Sequence, residues 1–181
     1  MSDFYKTLRS VSQGIYREKM SKFIAFAAPV ESAGQARDVV KRYRNEYHDA
    51  RHCCWAYMIG TARTDFLSSD NGEPSGTAGK PILGQINSFG LTNVVVVVVR
   101  YYGGVNLGTS GLIVAYREAA ALALADAKKE TRLVEEVVSY DFPYTMMNSV
   151  MRVVKEMQPR IVSQTYDSTC QIRLAIRRSE A

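Results

Sequence analysis

The chain has few cysteines, the residues whose disulfides stabilise small secreted proteins. Only three of its 181 residues are cysteines. Two of them, Cys53 and Cys54, are neighbours, which leaves Cys170 as the one distant partner. This arrangement excludes the disulfide framework of a small secreted domain. A reducing compartment is the simpler interpretation, and we expect a cytoplasmic protein.

The chain also lacks a long apolar run. Its most hydrophobic stretch is the six valines 94–99, whereas a membrane-spanning helix needs about 20 apolar residues. Residues 1–6 lead into charged sequence and lack the apolar segment of a signal peptide. We therefore expect no membrane partner. The valines predict a strand that is buried on both faces of a sheet.

The composition is that of a folded protein, with 46% hydrophobic and 23% charged residues. The net charge is +5, and the densest basic cluster falls on one side of a predicted helix. This cluster, the basic face, consists of Arg37, Lys41, Arg42 and Arg44. It is compatible with contact to a nucleic-acid backbone, and also with an ordinary solvated surface.

Hydrophobic periodicity predicts an α+β fold for the first 131 residues. Ser32 is placed to cap one helix, and Thr109 or Ser110 to cap a second, alanine-rich one. Residues 63–77 show no apolar periodicity and predict a long ordered loop. The predicted elements are strands at 5–16, 22–30, 52–59 and 93–100, and helices at 32–48, 81–89 and about 109–129.

The remainder of the chain predicts a second, smaller domain. A boundary near residues 130–133 gives domains 1–131 and 132–181. The predicted elements of the second domain are a strand at 134–142, a helix at 144–157, and a hairpin of 161–166 with 169–176 that turns at Asp167 and Ser168. Such a β-α-β-β series is part of a ferredoxin-like unit, which normally closes with another helix and strand.

Two glycine-rich stretches raise the question of nucleotide binding. The first contains Gly79-Lys80, but Pro74 stands where a P-loop needs glycine. Pro81 stands where that motif needs a hydroxyl for magnesium. The second stretch, residues 103–111, lies between a predicted strand and a helix but lacks the G-x-G-x-x-G spacing. Neither stretch is a known nucleotide motif.

The second stretch still has physical properties that suit an anion. Its glycines permit close backbone approach, and the free N–H groups at 109–111 begin a helix dipole. Alternatively, the glycines only shape a turn and the hydroxyls only cap the helix. The preceding Arg100-Tyr101-Tyr102 could stack on bases and contact phosphate. Only one of the two tyrosines can lie on a given surface, because successive strand residues face opposite ways.

Candidates for catalysis or metal binding are few. His48 and residues 52–54 form the one cluster with metal or nucleophile potential, but its two cysteines must face opposite sides of a strand. Asp70 and Glu73 lie in the predicted loop, without a sign of burial, and are interpreted as hydrogen-bond acceptors that order it. We therefore predict no catalytic residue, no metal and no cofactor.

The two glycine-rich stretches resemble the signature of the IMPACT/YigZ family, in particular its bacterial YigZ-like members. That signature is a glycine, spaced aliphatic residues, then arginine, two aromatics, Gly-Gly, two spacers, an aliphatic residue and glycine. The chain matches it from Gly79 to Gly108. Residues 70–83 also resemble the family's D-x-G-E-P-x-G-T-A-G-x-P-[IL]-L segment. The resemblance extends over essentially the whole chain.

The resemblance implies a two-domain fold. The family's amino-terminal domain is similar to a ribosomal-protein domain, which is also domain IV of elongation factor G, with a left-handed βαβ crossover. Its carboxy-terminal domain is similar to domain V of that factor, a ferredoxin-like βαββαβ unit. By this comparison we expect the last helix and strand to be missing here. The sheet edge left exposed would favour a homodimer through the carboxy-terminal domain.

The resemblance also implies a function and a surface. Both fold relatives touch ribosomal RNA, so we expect a non-catalytic protein that associates with RNA or the ribosome and has a role in the regulation of translation. Two alternatives stay open: a phosphate-ligand or nucleotide-binding enzyme that uses the glycine-rich loops, and a protein-interaction module. The expected binding residues, besides the basic face, are Asp70, Glu73, Ser75, Thr77, Lys80, Arg100, Tyr101, Tyr102, Gly103, Gly104, Asn106, Gly108, Thr109 and Ser110.

Overall fold

The structure, a computed structural model, describes residues 3–167 and 169–178. They form an α+β fold, which confirms the predicted class. The elements are β1 Phe4–Leu8, β2 Ser12–Glu18, β3 Ser21–Pro29, α1 Ala33–Glu46, β4 His52–Ile59, β5 Asp65–Ser69, α2 Gly79–Ser88, β6 Val94–Tyr101, α3 Gly108–Asp126, β7 Lys129–Leu133, β8 Glu135–Phe142, α4 Met147–Met157, β9 Arg160–Tyr166 and β10 Cys170–Arg177. None of the described helices is long and apolar enough to cross a membrane.

The described residues divide into two units, Tyr5–Arg132 and residues 133–178 together with 3–4. The first unit contains a five-stranded antiparallel sheet of order β2-β3-β6-β4-β5. All six valines of the central strand β6 are fully buried, as the unbroken run predicts. Because successive side chains point to opposite faces, alternate valines pack into one core with α2 and α3 and into another with α1.

Helix α1 connects β3 to β4, two parallel strands that are separated by β6. Ser32 caps this helix as predicted, because its hydroxyl accepts a hydrogen bond from the N–H of Gln35 at 3.1 Å. Ala36 and Val40 are buried, and the ring of Tyr43 stacks on a β3 phenylalanine with centroids 4.1 Å apart. The basic residues of α1 therefore remain on its outer side.

Several predicted boundaries are wrong. The strand predicted at 5–16 is two strands, because β1 leaves the main sheet and pairs with β7. The predicted loop 63–77 contains β5, a sheet-edge strand whose exposure hides the apolar alternation. Neither Thr109 nor Ser110 caps α3, because the helix begins earlier, at Gly108. Leu107, which is buried, stands in the capping position and offers no side-chain hydrogen bond. That helix ends at Asp126 rather than near residue 129, where β7 begins.

Within the described residues, the second unit contains a three-stranded sheet of order β8-β10-β9. The helix predicted at 144–157 begins as a 3-10 turn, Tyr144–Met146, and continues as α4. Val154 of this helix packs on Phe142 and Ile172 of the sheet. The predicted hairpin of β9 and β10 is present, and Ser168 of its predicted turn lies outside the described residues.

The capping hydroxyl of α1 gives a simple stability prediction. Ser32→Ala removes the acceptor for a first-turn N–H, and we expect the free energy of unfolding to fall by about 1 kcal/mol. Ser10→Ala, at an exposed position between β1 and β2, is the matched control and should change it much less. Urea denaturation followed by circular dichroism measures both, and equal losses would contradict the capping role.

Candidate functional site

The start of β4 and the end of β6 meet at one end of the five-stranded sheet. His52 is the register partner of Arg100, and the backbone N–H of Arg51 donates to the Arg100 carbonyl at 2.9 Å. Together with the beginning of α3, these strands border an open cavity of about 380 Å³, the β6–α3 cavity. It is lined by Arg51, His52, Glu73, Pro74, Arg100, Tyr102, Asn106, Leu107, Gly108, Thr109 and Leu112.

Glu73 is the centre of a buried polar network beside this cavity. Its Oε1 accepts a hydrogen bond from Arg100 Nη1 at 2.6 Å and another from the Tyr116 hydroxyl at 2.7 Å. Glu73 is only 8% exposed and Arg100 only 5%, although nothing in the sequence indicated that Glu73 is buried. A carboxylate so deeply buried depends on such partners, because an unpaired buried charge is very costly. The network therefore ties the loop before α2 to β6 and α3.

The thiol of Cys54 extends this network. It donates to the Tyr116 hydroxyl at 3.4 Å and lies 3.0 Å from the carbonyl of Asp70. Burial raises the pKa of the Cys54 thiol, and burial also raises that of Cys53, which faces the other core. Both thiols are therefore protonated at neutral pH and poor nucleophiles. No group of three His, Cys, Asp or Glu side chains in the described part of the chain is placed to hold a metal ion.

Asp70 folds the loop that carries Glu73. One carboxylate oxygen accepts hydrogen bonds from the N–H groups of Ala78 and Gly79 at 3.1 and 2.8 Å, and the other from Gly76 at 2.9 Å. Burial by itself would raise the pKa of Asp70, but these three bonds and the charge of Lys80 outweigh it and lower the pKa. Because Gly79 begins α2, the carboxylate satisfies N–H groups that the helix cannot. Asp70 thus orders the loop, as interpreted from the sequence.

The two tyrosines after Arg100 diverge, as strand geometry predicts. Tyr101 packs with the α1 core and its hydroxyl donates to Asp49 at 2.8 Å. Burial and then that hydrogen bond raise the pKa of Tyr101 to about 12. Tyr102 lines the cavity instead, with its ring centroid 4.7 Å from the guanidinium carbon of Arg51 and 5.5 Å from that of Arg100. The ring that could stack on a base is thus already in contact with guanidinium groups.

At two positions of the loop after β6, the local geometry requires glycine. A Cβ on Gly103 would lie 2.1 Å from the carbonyl carbon of Met20, so any side chain would push the loop off the β2–β3 turn. Gly108 has a φ of +74°, a left-handed conformation that other residues rarely adopt. These two positions fix where the loop runs and where α3 begins.

The structure brings six of the predicted binding residues to the β6–α3 cavity and distributes the others. Thr77 is buried and its hydroxyl donates to the Pro74 carbonyl at 2.6 Å. Ser75 and Lys80 are exposed, and Ser110 lines a different cavity beside β2. Gly104 has a φ of +90°. The six at the cavity are Glu73, Arg100, Tyr102, Asn106, Gly108 and Thr109, whereas the basic face lies on α1.

Sequence reasoning missed Arg51 and Tyr116, and it considered His52 only as a metal or nucleophile candidate. Arg51 precedes β4 and reaches the cavity because the β4–β6 ladder sets it beside Arg100. His52 Nδ1 donates to the Asn71 carbonyl at 2.8 Å, and its Nε2 lies 3.7 Å from Glu73 Oε1. Only for Tyr116 was a sequence signal available. It is a tyrosine on the apolar side of the alanine-rich helix, where its hydroxyl needs a buried hydrogen-bond partner.

Comparison with known proteins identifies close relatives. Residues 19–124 match the model of the Impact N-terminal domain. An IMPACT family member of Haemophilus influenzae is 36% identical over 161 residues, which cover 87% of this chain and 78% of the relative. The Escherichia coli IMPACT family member YigZ is 34% identical over 162 residues, with the same coverage of each chain. A solved structure described as a hypothetical protein superposes with a TM-score of 0.83 at 28% identity, covering 100% of this chain and 89% of that one.

The Glu73 network predicts a large effect of removing its carboxylate. Glu73→Ala leaves the Arg100 charge buried and unpaired, so the free energy of unfolding should fall by about 3–5 kcal/mol. The control is Glu118→Ala, because the Glu118 side chain is 46% exposed and pairs with Arg117 at 3.6 Å. That change should cost less than about 1 kcal/mol. Denaturant titration compares them, and similar values would show that the buried pair is not essential to the fold.

The pKa of Asp70 predicts a dependence of stability on pH. A carboxyl whose folded-state pKa is lowered stabilises the fold above its ordinary value of 3.8, and this contribution is lost as the pH falls through the folded-state pKa. Asp70→Asn should therefore be less stable than the wild type at neutral pH, and the two should converge below pH 3.8. Thermal unfolding over a pH series measures this, and a constant difference at all pH values would be inconsistent with it.

Proposed function

Because this chain belongs to the IMPACT family, we propose that it is a non-catalytic protein that binds RNA and acts in the regulation of translation. The observation that carries the proposal is the basic face of α1. All four of its cations are exposed, and in the described part of the chain none forms an ion pair with a carboxylate. Cations that are not neutralised by the protein are available to neutralise phosphates.

The β6–α3 cavity adds a second feature that suits a nucleic acid. It contains two arginines against one carboxylate, and it belongs to the same unit as α1. The family's likeness to ribosomal-protein and elongation-factor domains supports RNA as the polyanion. The loops at residues 70–80 and 100–111 would then supply specific contacts, and the basic face would supply contacts that depend little on sequence.

A homodimer through the carboxy-terminal unit stays a prediction. β8 is at one edge of its sheet, and its Val137 and Tyr140 are about half exposed, at 50% and 51%. A second copy that paired along β8 would satisfy the backbone N–H and C=O groups of this edge.

The RNA proposal is tested by reversing charges on the basic face. Arg37→Glu with Lys41→Glu changes two exposed cations of α1 that form no ion pair among the described residues. Filter binding to total ribosomal RNA at low salt should show affinity at least about tenfold lower than the wild type. Wild-type affinity should also fall steeply with salt, with a log–log slope of about −0.7 for each contacted phosphate of a single strand.

The control places the same charge change on another helix. Arg152→Glu with Lys155→Glu reverses two exposed cations of α4 and should leave RNA affinity within about twofold of the wild type. Equal losses in the two double variants would show that only net charge matters. Absence of binding to RNA or ribosomes even at low salt would overturn the proposal.

A further inference from the structure

Arg100 is buried with most of its donors unused. A guanidinium has five N–H groups, yet in the described part of the chain only Nη1 has an acceptor, Glu73. Nε is buried and has no hydrogen-bond partner among these residues. Buried donors are almost always paired, and a charged donor without an acceptor is especially costly. The protein groups around Arg100 therefore leave donors whose acceptors must be water or a ligand.

Packing alone does not account for this arginine. Its guanidinium carbon lies 5.5 Å from the ring centroids of both Phe23 and Tyr102. Aromatic rings interact with the flat face of a guanidinium and accept none of the hydrogen bonds that its edge donates. The side chain is 6% exposed and lines the β6–α3 cavity, so an acceptor for those of its N–H groups that face the cavity would have to enter from there.

The amino terminus of α3 opens beside the same cavity. The first-turn N–H groups of a helix have no acceptor within it, and no side chain caps this 19-residue helix. Gly108 and Thr109, its first two residues, line the cavity. The helix dipole adds partial positive charge at this end, which attracts an anion. Two independent features, a buried arginine edge and an uncapped helix, therefore meet at one place.

The charges of the cavity indicate which anion fits. Arg51 and Arg100 against Glu73 leave a surplus of one positive charge. Arg51 is exposed and its guanidinium contacts the Tyr102 ring, so it can close over a ligand. Three separate donor groups, two guanidinium edges and a helix end, are better matched by a tetrahedral oxyanion than by the two oxygens of a carboxylate.

We infer that the β6–α3 cavity binds one phosphate group, held by Arg100, by Arg51 and by the amino terminus of α3. The inference deepens the proposed function and rests on it for one source of the phosphate, an RNA. The other source is a free phosphorylated small molecule. In both cases the phosphate oxygens accept from the Arg100 edge, while Glu73 keeps Nη1 in place.

Phosphate titration of the full ¹⁵N-labelled chain tests this inference. Inorganic phosphate is added at constant ionic strength, with chloride as the compensating anion, and the amide resonances of residues 108–112 are followed. We expect a saturable shift of these resonances. Arg100→Lys keeps the charge but removes Nε–H and the planar fork, and should weaken binding about tenfold. Arg51→Ala, at an exposed position, is the second variant and should weaken it about threefold.

The control and the ligand series separate this inference from the RNA proposal. Arg37→Glu with Lys41→Glu should leave the affinity for inorganic phosphate unchanged, even where RNA binding is lost. Tighter binding of an RNA tetranucleotide with a 5′-phosphate than of its 5′-hydroxyl form supports the site with RNA as the source. Equal binding of a nucleoside 5′-monophosphate and the phosphorylated tetranucleotide supports it with a small molecule as the source. No saturable shift, or wild-type affinity in both cavity variants, would overturn the inference.

Discussion

The buried ion pair of Glu73 and Arg100 is the interaction on which the site depends. Each partner comes from a different part of the first unit: Glu73 from the loop before α2, and Arg100 from the end of the central strand. Neither charge could remain buried alone, because desolvation of a lone ion exceeds what a small domain can offset. Their pairing at 2.6 Å therefore fixes the loop to the sheet. The Tyr116 hydroxyl adds α3 to the same carboxylate.

This arrangement explains why so many signature residues serve the architecture. Asp70 folds the loop, Gly103 lets the next loop pack on the β2–β3 turn, and Gly108 sets the start of α3. Together they bring the Arg100 edge, Arg51 and the helix end to one cavity. Glu73 accepts from Nη1 of Arg100, and among the described residues the other donors of this guanidinium have no acceptor. The proposed phosphate site would couple function and stability through one arginine, because one of its N–H groups holds the fold and those that face the cavity would bind the ligand.

Much of the fold could be predicted from local pattern. The valine run predicted a strand buried on both faces, and Ser32 predicted the start of α1, because burial and capping depend on residues close in sequence. The edge strand β5 could not be found, since its exposed side chains carry no alternation. The start of α3 was misplaced because Leu107, which sequence patterns treat as part of a loop, is held in the core.

The signature located the candidate site, but its internal chemistry was hidden from sequence reasoning. Glu73 reads as a solvated loop acid, and its partners Arg100 and Tyr116 lie 27 and 43 residues away. Arg51 has no motif of its own and reaches the cavity only through strand pairing. Contacts between strands and loops that are distant in sequence depend on tertiary packing. Hydrophobic periodicity within a short sequence window carries no information about such contacts.

The most direct test of this account is a crystal structure of the protein grown with a 5′-phosphorylated ribonucleotide. The account predicts density for the phosphate in the β6–α3 cavity, with oxygens within hydrogen-bond distance of the Arg100 guanidinium and of the first N–H groups of α3. It also predicts that the Glu73–Arg100 pair stays intact in the complex. An empty cavity with the nucleotide bound elsewhere, or an Arg100 edge paired fully with protein acceptors, would contradict it.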